Sequence, residues 1–235
     1  MLRYEIELGK AADIVARDLF ALKPGETFVI TADTECDPRV IDATAQAAFA
    51  IGAKPMVIWT ASPLGVGEAA DPMLPVEALT GALMGADAWV EYNNQWLLYS
   101  TPYNTAMKQN KKLRHLNLVG MNPDMMIHCI GRIDFAALQE FQETFSAMLT
   151  ETKHVRITTP AGEDIEFKHK PGIPIRCRMG YAHKPGSEML AGQISSTPDF
   201  DSINGTVVFD GSLVPPCGKL EEPIRLTIEA GTIVK

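Results

Sequence analysis

The sequence predicts an α/β protein whose N-terminal domain (residues 1–150) contains a parallel sheet and whose second domain (residues 151–235) is rich in β-strands. Up to Thr150, helix-like and strand-like segments alternate, an order typical of a parallel sheet covered by helices on both faces. After Thr150, two short strand patterns flank Pro160-Ala161-Gly162, which indicates a β-hairpin. With 46% hydrophobic and 21% charged residues, the chain has the composition of an ordinary folded protein with a buried core.

In the N-terminal domain, the first predicted element is an amphipathic helix with apolar residues at helical spacing: Leu8, Ala12, Val15 and Leu19. The apolar run Thr27–Thr31 predicts a buried strand. Asp37-Pro38 predicts the start of the next helix, with Asp37 as N-cap, and Gly52 predicts its end. The remaining strands and helices of this domain are predicted at Val57–Thr60, Pro75–Gly85, Ala88–Tyr92, Leu116–Val119 and Asp134–Leu149.

In the second domain, the hairpin strands are predicted at Val155–Thr158 and Asp164–Phe167. Later strands are predicted at Thr206–Phe209, Ile224–Ile228 and Thr232–Val234, the last two joined by a turn at Ala230-Gly231. Because the final strand pattern runs to the end of the sequence, we expect this domain to be the first part of a longer one. A natural terminus inside a sheet is the alternative.

Composition excludes several classes of partner. A net charge of −8 and a pI near 5.1 argue against a nucleic acid, whose phosphates would be repelled. The apolar runs are shorter than the ~20 residues that span a bilayer, and the N-terminus lacks the apolar core of a signal peptide. We therefore expect a cytoplasmic protein with reduced thiols, since its four cysteines are widely spaced: Cys36, Cys129, Cys177 and Cys217.

The stretch Gly186–Gly211 combines a glycine-hinged loop around Gly192-Gln193, a proline at position 198, and a strand entered through Asn204-Gly205. It resembles the signature loop of the thermophilic-type metalloaminopeptidases (the aminopeptidase T and PepS group) and of their relative, 2,5-dihydroxypyridine 5,6-dioxygenase. Gly192, Pro198 and Gly205-Thr206 match the motif in register. The family's asparagine, first proline and metal-binding glutamate do not match.

Two further segments carry the resemblance over the rest of the chain. Leu22–Glu26 is similar to the family's opening, and Gly162–Ile165 is similar to its Gly-Thr-Asp-Leu segment. The order of these motifs along the chain supports membership of this superfamily.

The resemblance implies that Gln193 stands at a metal-ligand position. A carboxylate there can bridge two cations, whereas a neutral amide is a much poorer ligand, so a two-metal hydrolytic centre would be weakened. The dioxygenase branch needs a single Fe(II), held by two histidines and an aspartate, which favours that branch over a zinc or cobalt aminopeptidase. The alternative is that Gln193 hydrogen-bonds the loop backbone.

The resemblance also implies that the other metal ligands lie C-terminal to Lys235. The five histidines show no zinc-like helical spacing: His115, His128, His154, His169 and His183. His128 beside Cys129 could form a metal or nucleophile pair, but placement in the core or on the surface is favoured. A chain without metal therefore remains an alternative.

Acidic residues follow the first strand, in Asp33-Thr34-Glu35-Cys36-Asp37. At the carboxyl edge of a parallel sheet they could hold a cation or a substrate amine. The favoured alternative is that they cap the next helix. Cys36 could act as a nucleophile, but the sequence shows no matched base.

The segment Asn93–Tyr103 is rich in aromatic and amide side chains and follows a predicted strand, a composition that suits a small-molecule pocket. The resemblance places the substrate-lining part of the dioxygenase here. It implies Tyr99 as the acid–base residue, with Leu98, Ser100 and Tyr103 as substrate-binding residues. Packing, or an interface role, is the alternative for these aromatics.

The leading hypothesis is a single-iron enzyme similar to 2,5-dihydroxypyridine 5,6-dioxygenase, which cleaves the ring of a small polar aromatic substrate. The second is a metalloaminopeptidase that releases N-terminal residues. The third is a metal-free remnant that binds a ligand or drives oligomerisation. We expect a small-molecule substrate and a homo-oligomer, with no nucleic-acid or membrane partner.

Overall fold

A computed structural model of the protein describes residues 4–213 and 218–235, so Cys217 lies outside the described residues. The α-helices are α1 (Glu5–Ile14), α2 (Pro38–Ile51), α3 (Val76–Gly85), α4 (Thr101–Gln109), α5 (Pro123–Met126) and α6 (Phe135–Glu151). Helices α1 and α5 continue into π-helical turns, Val15–Leu19 and Ile127–Gly131, and short 3-10 helices lie at Gly67–Met73 and Phe200–Ser202.

The strands from the first half of the chain are β1 (Thr27–Asp33), β2 (Lys54–Thr60), β3 (Ala88–Glu91) and β4 (Arg114–Asn117). The next are β5 (Val155–Thr158), β6 (Asp164–Phe167), β7 (Arg176–Arg178), β8 (Gly186–Met189) and β9 (Gln193–Ser195). The last are β10 (Asn204–Phe209), β11 (Ser212–Leu213), β12 (Gly218–Lys219), β13 (Ile224–Glu229) and β14 (Thr232–Ile233).

The chain forms two compact units, Met1–Gln139 with Arg178–Gln193, and Glu140–Cys177 with Ile194–Lys235. Each unit therefore combines two stretches of sequence, whereas the sequence pattern predicts one continuous stretch for each domain. The reason is strand β8, which lies beyond residue 150 and yet pairs with β4 of the first unit.

The first unit contains a five-stranded parallel sheet in the order β2-β1-β3-β4-β8. This confirms the predicted α/β class. Strands β1 and β3 are almost entirely buried, as expected for central strands covered on both faces, and β2 is an exposed edge strand. The largest buried side chains include Trp89, Tyr92 and Phe28, each of which contributes roughly 1.5–3 kcal/mol of hydrophobic stabilisation.

The predicted ends of helix α2 are confirmed. The Asp37 side chain accepts a hydrogen bond from the Arg39 N–H at 3.0 Å, and Pro38 occupies the first helical position. Gly52 closes the helix with φ of +90°, the left-handed conformation that favours glycine.

Two details differ from the sequence prediction. Strand β4 begins at Arg114, two residues before the predicted strand, which places His115 inside it. Helix α4 is not among the predicted elements, because its N-terminal residues are part of the aromatic-rich run Asn93–Tyr103, whose composition indicated a small-molecule pocket. The missed signal is Ser100-Thr101-Pro102, an N-cap followed by proline in the first turn.

The second unit contains an antiparallel sheet in the order β14-β13-β10-β6-β5. The predicted hairpin is confirmed by the pairing of β5 with β6, and the predicted C-terminal pair by β13 and β14. Ala230 and Gly231 both have positive φ, 45° and 76°, as the tight turn between those strands requires. In the described parts of both units, no helix has the length and apolar character needed to cross a membrane.

Candidate functional site

The candidate site lies where the parallel strands of the first unit end. Ligands bind at the carboxyl edge of such sheets, because the loops that follow the strands gather there. Trp89, His115 and Ser187 stand in one row across β3, β4 and β8, since they are register partners. Glu91 lies two residues after Trp89 and therefore on the same face.

Glu91 is fully buried and anchors the loop after β3. Its Oε1 accepts hydrogen bonds from the backbone N–H groups of Leu97 and of Leu98, the latter at 3.2 Å. Its Oε2 lies 3.1 Å from Nε2 of the fully buried His115. A buried carboxylate is tolerated only when it is paired and hydrogen-bonded, so these contacts explain why Glu91 can stay inside the fold.

His115 continues the network towards the surface. Its Nδ1 lies 2.8 Å from the Ser187 hydroxyl, and its ring lies 4.2 Å from Trp89 and 5.4 Å from Tyr103 between centroids. Burial raises the pKa of the Tyr103 phenol. A polar chain therefore runs from the buried Glu91 carboxylate through His115 to the Ser187 hydroxyl.

Tyr99 lies near the end of the loop that Glu91 anchors, two residues before helix α4 begins. It is 62% exposed and has φ of +68°, a left-handed backbone conformation that costs roughly 1–3 kcal/mol for a residue with a side chain. The loop holds this geometry because the Tyr99 carbonyl accepts a hydrogen bond from Asn104 at 3.0 Å and Asp71 accepts one from the Thr101 N–H at 3.1 Å. Such strain is typical of functional loops.

The structure brings the predicted substrate-binding residues to this same loop and the helix after it. Tyr99 and Tyr103 rings lie 6.0 Å apart and nearly perpendicular. Leu98 is 7% exposed. Ser100 is fully buried, where its Oγ accepts a hydrogen bond from the Tyr103 N–H and caps α4.

The acidic segment after β1 is mainly structural. Asp33 is fully buried, and its carboxylate accepts hydrogen bonds from the N–H groups of Glu35 at 3.0 Å and Gln95 at 2.9 Å. The Cys36 sulfur lies 3.3 Å from the Tyr92 carbonyl, and burial raises the pKa of its thiol to about 11. Almost no thiolate is then present near neutral pH, which argues against Cys36 as a nucleophile.

A polar cavity of about 350 Å³ lies at this corner. Its lining residues are Glu35, Cys36, Asp37, Pro38, Asn94, Gly120, Met121 and Asn122. Glu35 already accepts a hydrogen bond from the Asn94 side chain at 2.5 Å, and Asp37 caps α2. These partners favour a structural role for both carboxylates.

A family model described as 2,5-dihydroxypyridine 5,6-dioxygenase (NicX) matches residues 16–235. The chain belongs to the NicX family. Two solved structures share its fold. The 2,5-dihydroxypyridine dioxygenase from Pseudomonas putida KT2440 matches with a TM-score of 0.73 at 21% identity, over 98% of this chain and 67% of that one. Wild-type AmpT from Thermus thermophilus matches with a TM-score of 0.62 at 14% identity, over 99% of this chain and 71% of that one. None of the curated proteins compared matches the chain.

These findings confirm the superfamily that the Gly186–Gly211 stretch indicated. The metal centre expected of a NicX-family member has no ligand set in residues 4–213 and 218–235, where no three His, Cys, Asp or Glu side chains form a group that could hold an ion. Gln193 is exposed at the start of β9, after Gly192 with φ of +110°. Because an amide is a poor ligand and no other ligand group is present among these residues, the residues described do not fit iron.

The other histidines of this NicX-family chain are dispersed. Nδ1 of His128 donates to the Asp124 carbonyl at 2.9 Å, Nε2 of His183 donates to the Asp18 carbonyl at 2.6 Å, and both side chains are exposed. His154 lies 3.2 Å from Glu166 in the second unit. None of these three histidines contacts another histidine or a cysteine among the described contacts.

Sequence reasoning missed the buried His115, its partner Glu91, and Ser187. A usable signal was present for the first two, because a charged or titratable residue inside an apolar strand pattern requires a buried partner. Ser187 could not be found this way, since its strand is short and polar.

Proposed function

We propose that this NicX-family protein binds a small hydroxylated aromatic ring, such as 2,5-dihydroxypyridine, and takes part in its oxidative ring cleavage. The observation that supports this proposal best is the aromatic edge, defined as the exposed Tyr99 beside the half-buried Tyr103, whose ring packs against the buried rings of Trp89 and His115. A flat aromatic substrate gains roughly 0.5–1.5 kcal/mol from each well-placed ring contact beyond the area it buries.

Each residue of the aromatic edge, and two residues beside it, has its own role in this proposal. Tyr99, exposed on its strained loop, offers a ring to the substrate, and Leu98 supplies apolar surface beneath it. Tyr103 presents a half-buried hydroxyl. Ser100 supports the site indirectly, because its hydroxyl fixes the start of the helix that carries Tyr103.

Ring cleavage of a hydroxylated aromatic requires that a proton leave one of its hydroxyl groups. A side chain within hydrogen-bond reach is needed for this transfer. On the family resemblance, Tyr99 is the proposed acid–base residue. Iron enters the proposal through the family alone, where it would supply oxygen chemistry, since the described residues do not assemble its ligands.

Oxygen uptake tests the proposed function. About one iron per chain after anaerobic reconstitution with Fe(II), together with oxygen consumption in the presence of 2,5-dihydroxypyridine, would support the proposed function. About two zinc or cobalt ions with release of N-terminal residues from peptides would instead favour the aminopeptidase function. Failure to retain any metal would contradict both metal-dependent functions for this chain.

A Gln193→Glu variant extends the measurement of metal content, because glutamate restores the carboxylate that the superfamily places at this position. We expect it to raise zinc retention relative to the wild type. Unchanged retention would mean that position 193 lies outside a metal site.

We also propose that the protein forms a homo-oligomer in the cytoplasm, with no nucleic-acid or membrane partner. Analytical ultracentrifugation measures the number of subunits in the assembly.

A further inference from the structure

We propose that the outer edge of strand β2 is the surface through which two copies of this chain pair, antiparallel and around a two-fold axis at Ile58. The inference rests on the homo-oligomer proposed above and is independent of ring binding. Strand β2 lies wholly within the first unit, where it ends the order β2-β1-β3-β4-β8. No strand of the described residues pairs with its outer side.

The outer edge of β2 is long and apolar. The strand has seven residues, and the side chains of Met56, Val57 and Trp59 are 39%, 38% and 44% exposed. An exposed apolar edge attracts another strand, and folded proteins cover such an edge or interrupt it. The residues that interrupt edges, lysine and proline, occur here only at the first two positions, Lys54 and Pro55. The rest of the strand is therefore open to a partner.

The opposite edge of the same sheet is protected in a way that β2 is not. Strand β8 has four residues, and the charged Glu188 is one of them. On its outer side, Nη1 of Arg178 donates a hydrogen bond to the Ser187 carbonyl at 3.2 Å. A short, charged and partly covered edge is typical of strands that stay unpaired. The contrast indicates that β2, and not β8, is the edge that takes a partner strand.

The direction of the backbone groups along β2 is fixed by its pairing with β1. The Lys54 N–H donates to the Glu26 carbonyl at 2.7 Å, on the side where β1 lies. The backbone groups of successive strand residues point to opposite sides in the plane of the sheet. The N–H and C=O groups of Val57 and Trp59 therefore point outward. The carbonyl of Pro55 points outward as well, but its nitrogen carries no hydrogen.

One antiparallel register within the strand pairs all the outward groups of Val57 and Trp59. With the two-fold axis at Ile58, Val57 of one copy lies opposite Trp59 of the other, and each such pair exchanges two N–H···O=C hydrogen bonds. An axis nearer Pro55 would set one of these residues opposite the proline, which has no donor to offer. The register at Ile58 also pairs an aromatic with a β-branched side chain, a favourable cross-strand contact.

Charge does not oppose this contact. Lys54 is the one charged residue in the sequence of β2, and in this register it lies opposite Ser62 of the other copy. Like charges therefore do not face each other along the paired strands. The net charge of −8 repels two copies over longer distances, where salt screens the repulsion. A second copy thus fits the edge in both hydrogen bonding and charge.

Analytical ultracentrifugation of the full chain, with and without Val57→Pro, tests the interface. Proline at this position removes an outward N–H and leaves the hydrogen bonds to β1 in place, as Pro55 does two residues earlier. We expect the variant to contain half as many subunits as the wild type at the same concentration, because the pairing contact is lost. Ile6→Ala, which truncates an exposed side chain on α1, is the control and should keep the wild-type assembly.

Disulfide cross-linking locates the axis, and it decides the question by itself if Val57→Pro does not fold. Residues at the axis form a non-hydrogen-bonded pair with about 4.5 Å between their Cα atoms, a distance that a disulfide spans. We expect Ile58→Cys to form a linked pair of chains on mild oxidation. The wild type, with its native cysteines, and Ile6→Cys, with a new thiol at an exposed position, should both link far less.

The outcomes separate the edge pairing from the proposals above. A monomeric wild type would overturn the homo-oligomer and the edge pairing together, and would leave ring binding intact. Absence of the cross-link in Ile58→Cys, or an unchanged number of subunits in a folded Val57→Pro, would overturn the edge pairing alone. Equal linkage in Ile58→Cys and Ile6→Cys would mean random collision, and would overturn it as well.

Discussion

We expect Glu91→Gln to lower the free energy of unfolding by about 3 kcal/mol, the loss typical of a buried charge network that keeps one partner. The carboxylate accepts from Leu97, Leu98 and His115 at once, and it is completely buried. An amide has one acceptor oxygen, so either orientation of its NH₂ group faces a donor. A change of His115 tautomer, with the hydrogen moved from Nε2 to Nδ1, would relieve that clash. Nδ1 could then no longer accept a hydrogen bond from the Ser187 hydroxyl.

Urea unfolding followed by tryptophan fluorescence measures this effect in the first unit, which contains all three tryptophans, Trp59, Trp89 and Trp96. Glu77→Gln, an exposed carboxylate in the first turn of α3, is the matched control and should change stability by about 0.5 kcal/mol. A loss below about 1 kcal/mol for Glu91→Gln would show that the buried network does not stabilise the site.

The second large effect is expected in the other unit, from Gly205→Ala in strand β10. Gly205 has φ of +123°, and a Cβ built there would overlap the backbone oxygen of Asp164 on the paired strand β6. Backbone cannot move aside as the end of a flexible side chain can, so the β6–β10 pairing must shift. We expect the free energy of opening of the β6–β10 pairing to fall by about 3 kcal/mol or more, because the added methyl group overpacks the sheet and the backbone conformation is strained for alanine.

Amide hydrogen exchange of β6 and β10 measures this loss directly, because exchange rates of paired strands report the local opening free energy. Gly211→Ala is the control: it adds the same methyl group where nothing lies within 4 Å. Similar exchange in the two variants would contradict the steric account. The clash also gives a physical reason for glycine in the Gly205-Thr206 part of the family motif.

Much of the fold follows from local signals. Asp37-Pro38 and Gly52 mark the ends of α2, and the hairpin strands β5 and β6 follow from their flanking turn. The position of β8 does not, because Gly186–Met189 is short and polar, and its pairing with β4 joins residues far apart along the chain. Helix α4 was missed because its first residues end an aromatic-rich run, Asn93–Tyr103, that indicated a pocket more strongly than a helix.

The candidate site was predicted in part. The aromatic composition of Asn93–Tyr103 drew attention to the loop that carries Tyr99 and to the start of the helix that carries Tyr103. The polar network beneath them required knowledge of strand register, since Trp89, His115 and Ser187 become neighbours through pairing of β3, β4 and β8. A spacing of 24 residues between Glu91 and His115 carries no such information by itself.

Isothermal titration of the chain with 2,5-dihydroxypyridine tests the central claim most directly, because it asks whether the aromatic edge is a binding site. We predict one site per chain, weakened about tenfold or more by Tyr99→Ala, a loss of about 1.4 kcal/mol. Phe49→Ala, which truncates another exposed aromatic residue on helix α2, should leave the affinity unchanged. Absence of binding, or equal affinity in the wild type and Tyr99→Ala, would contradict the account.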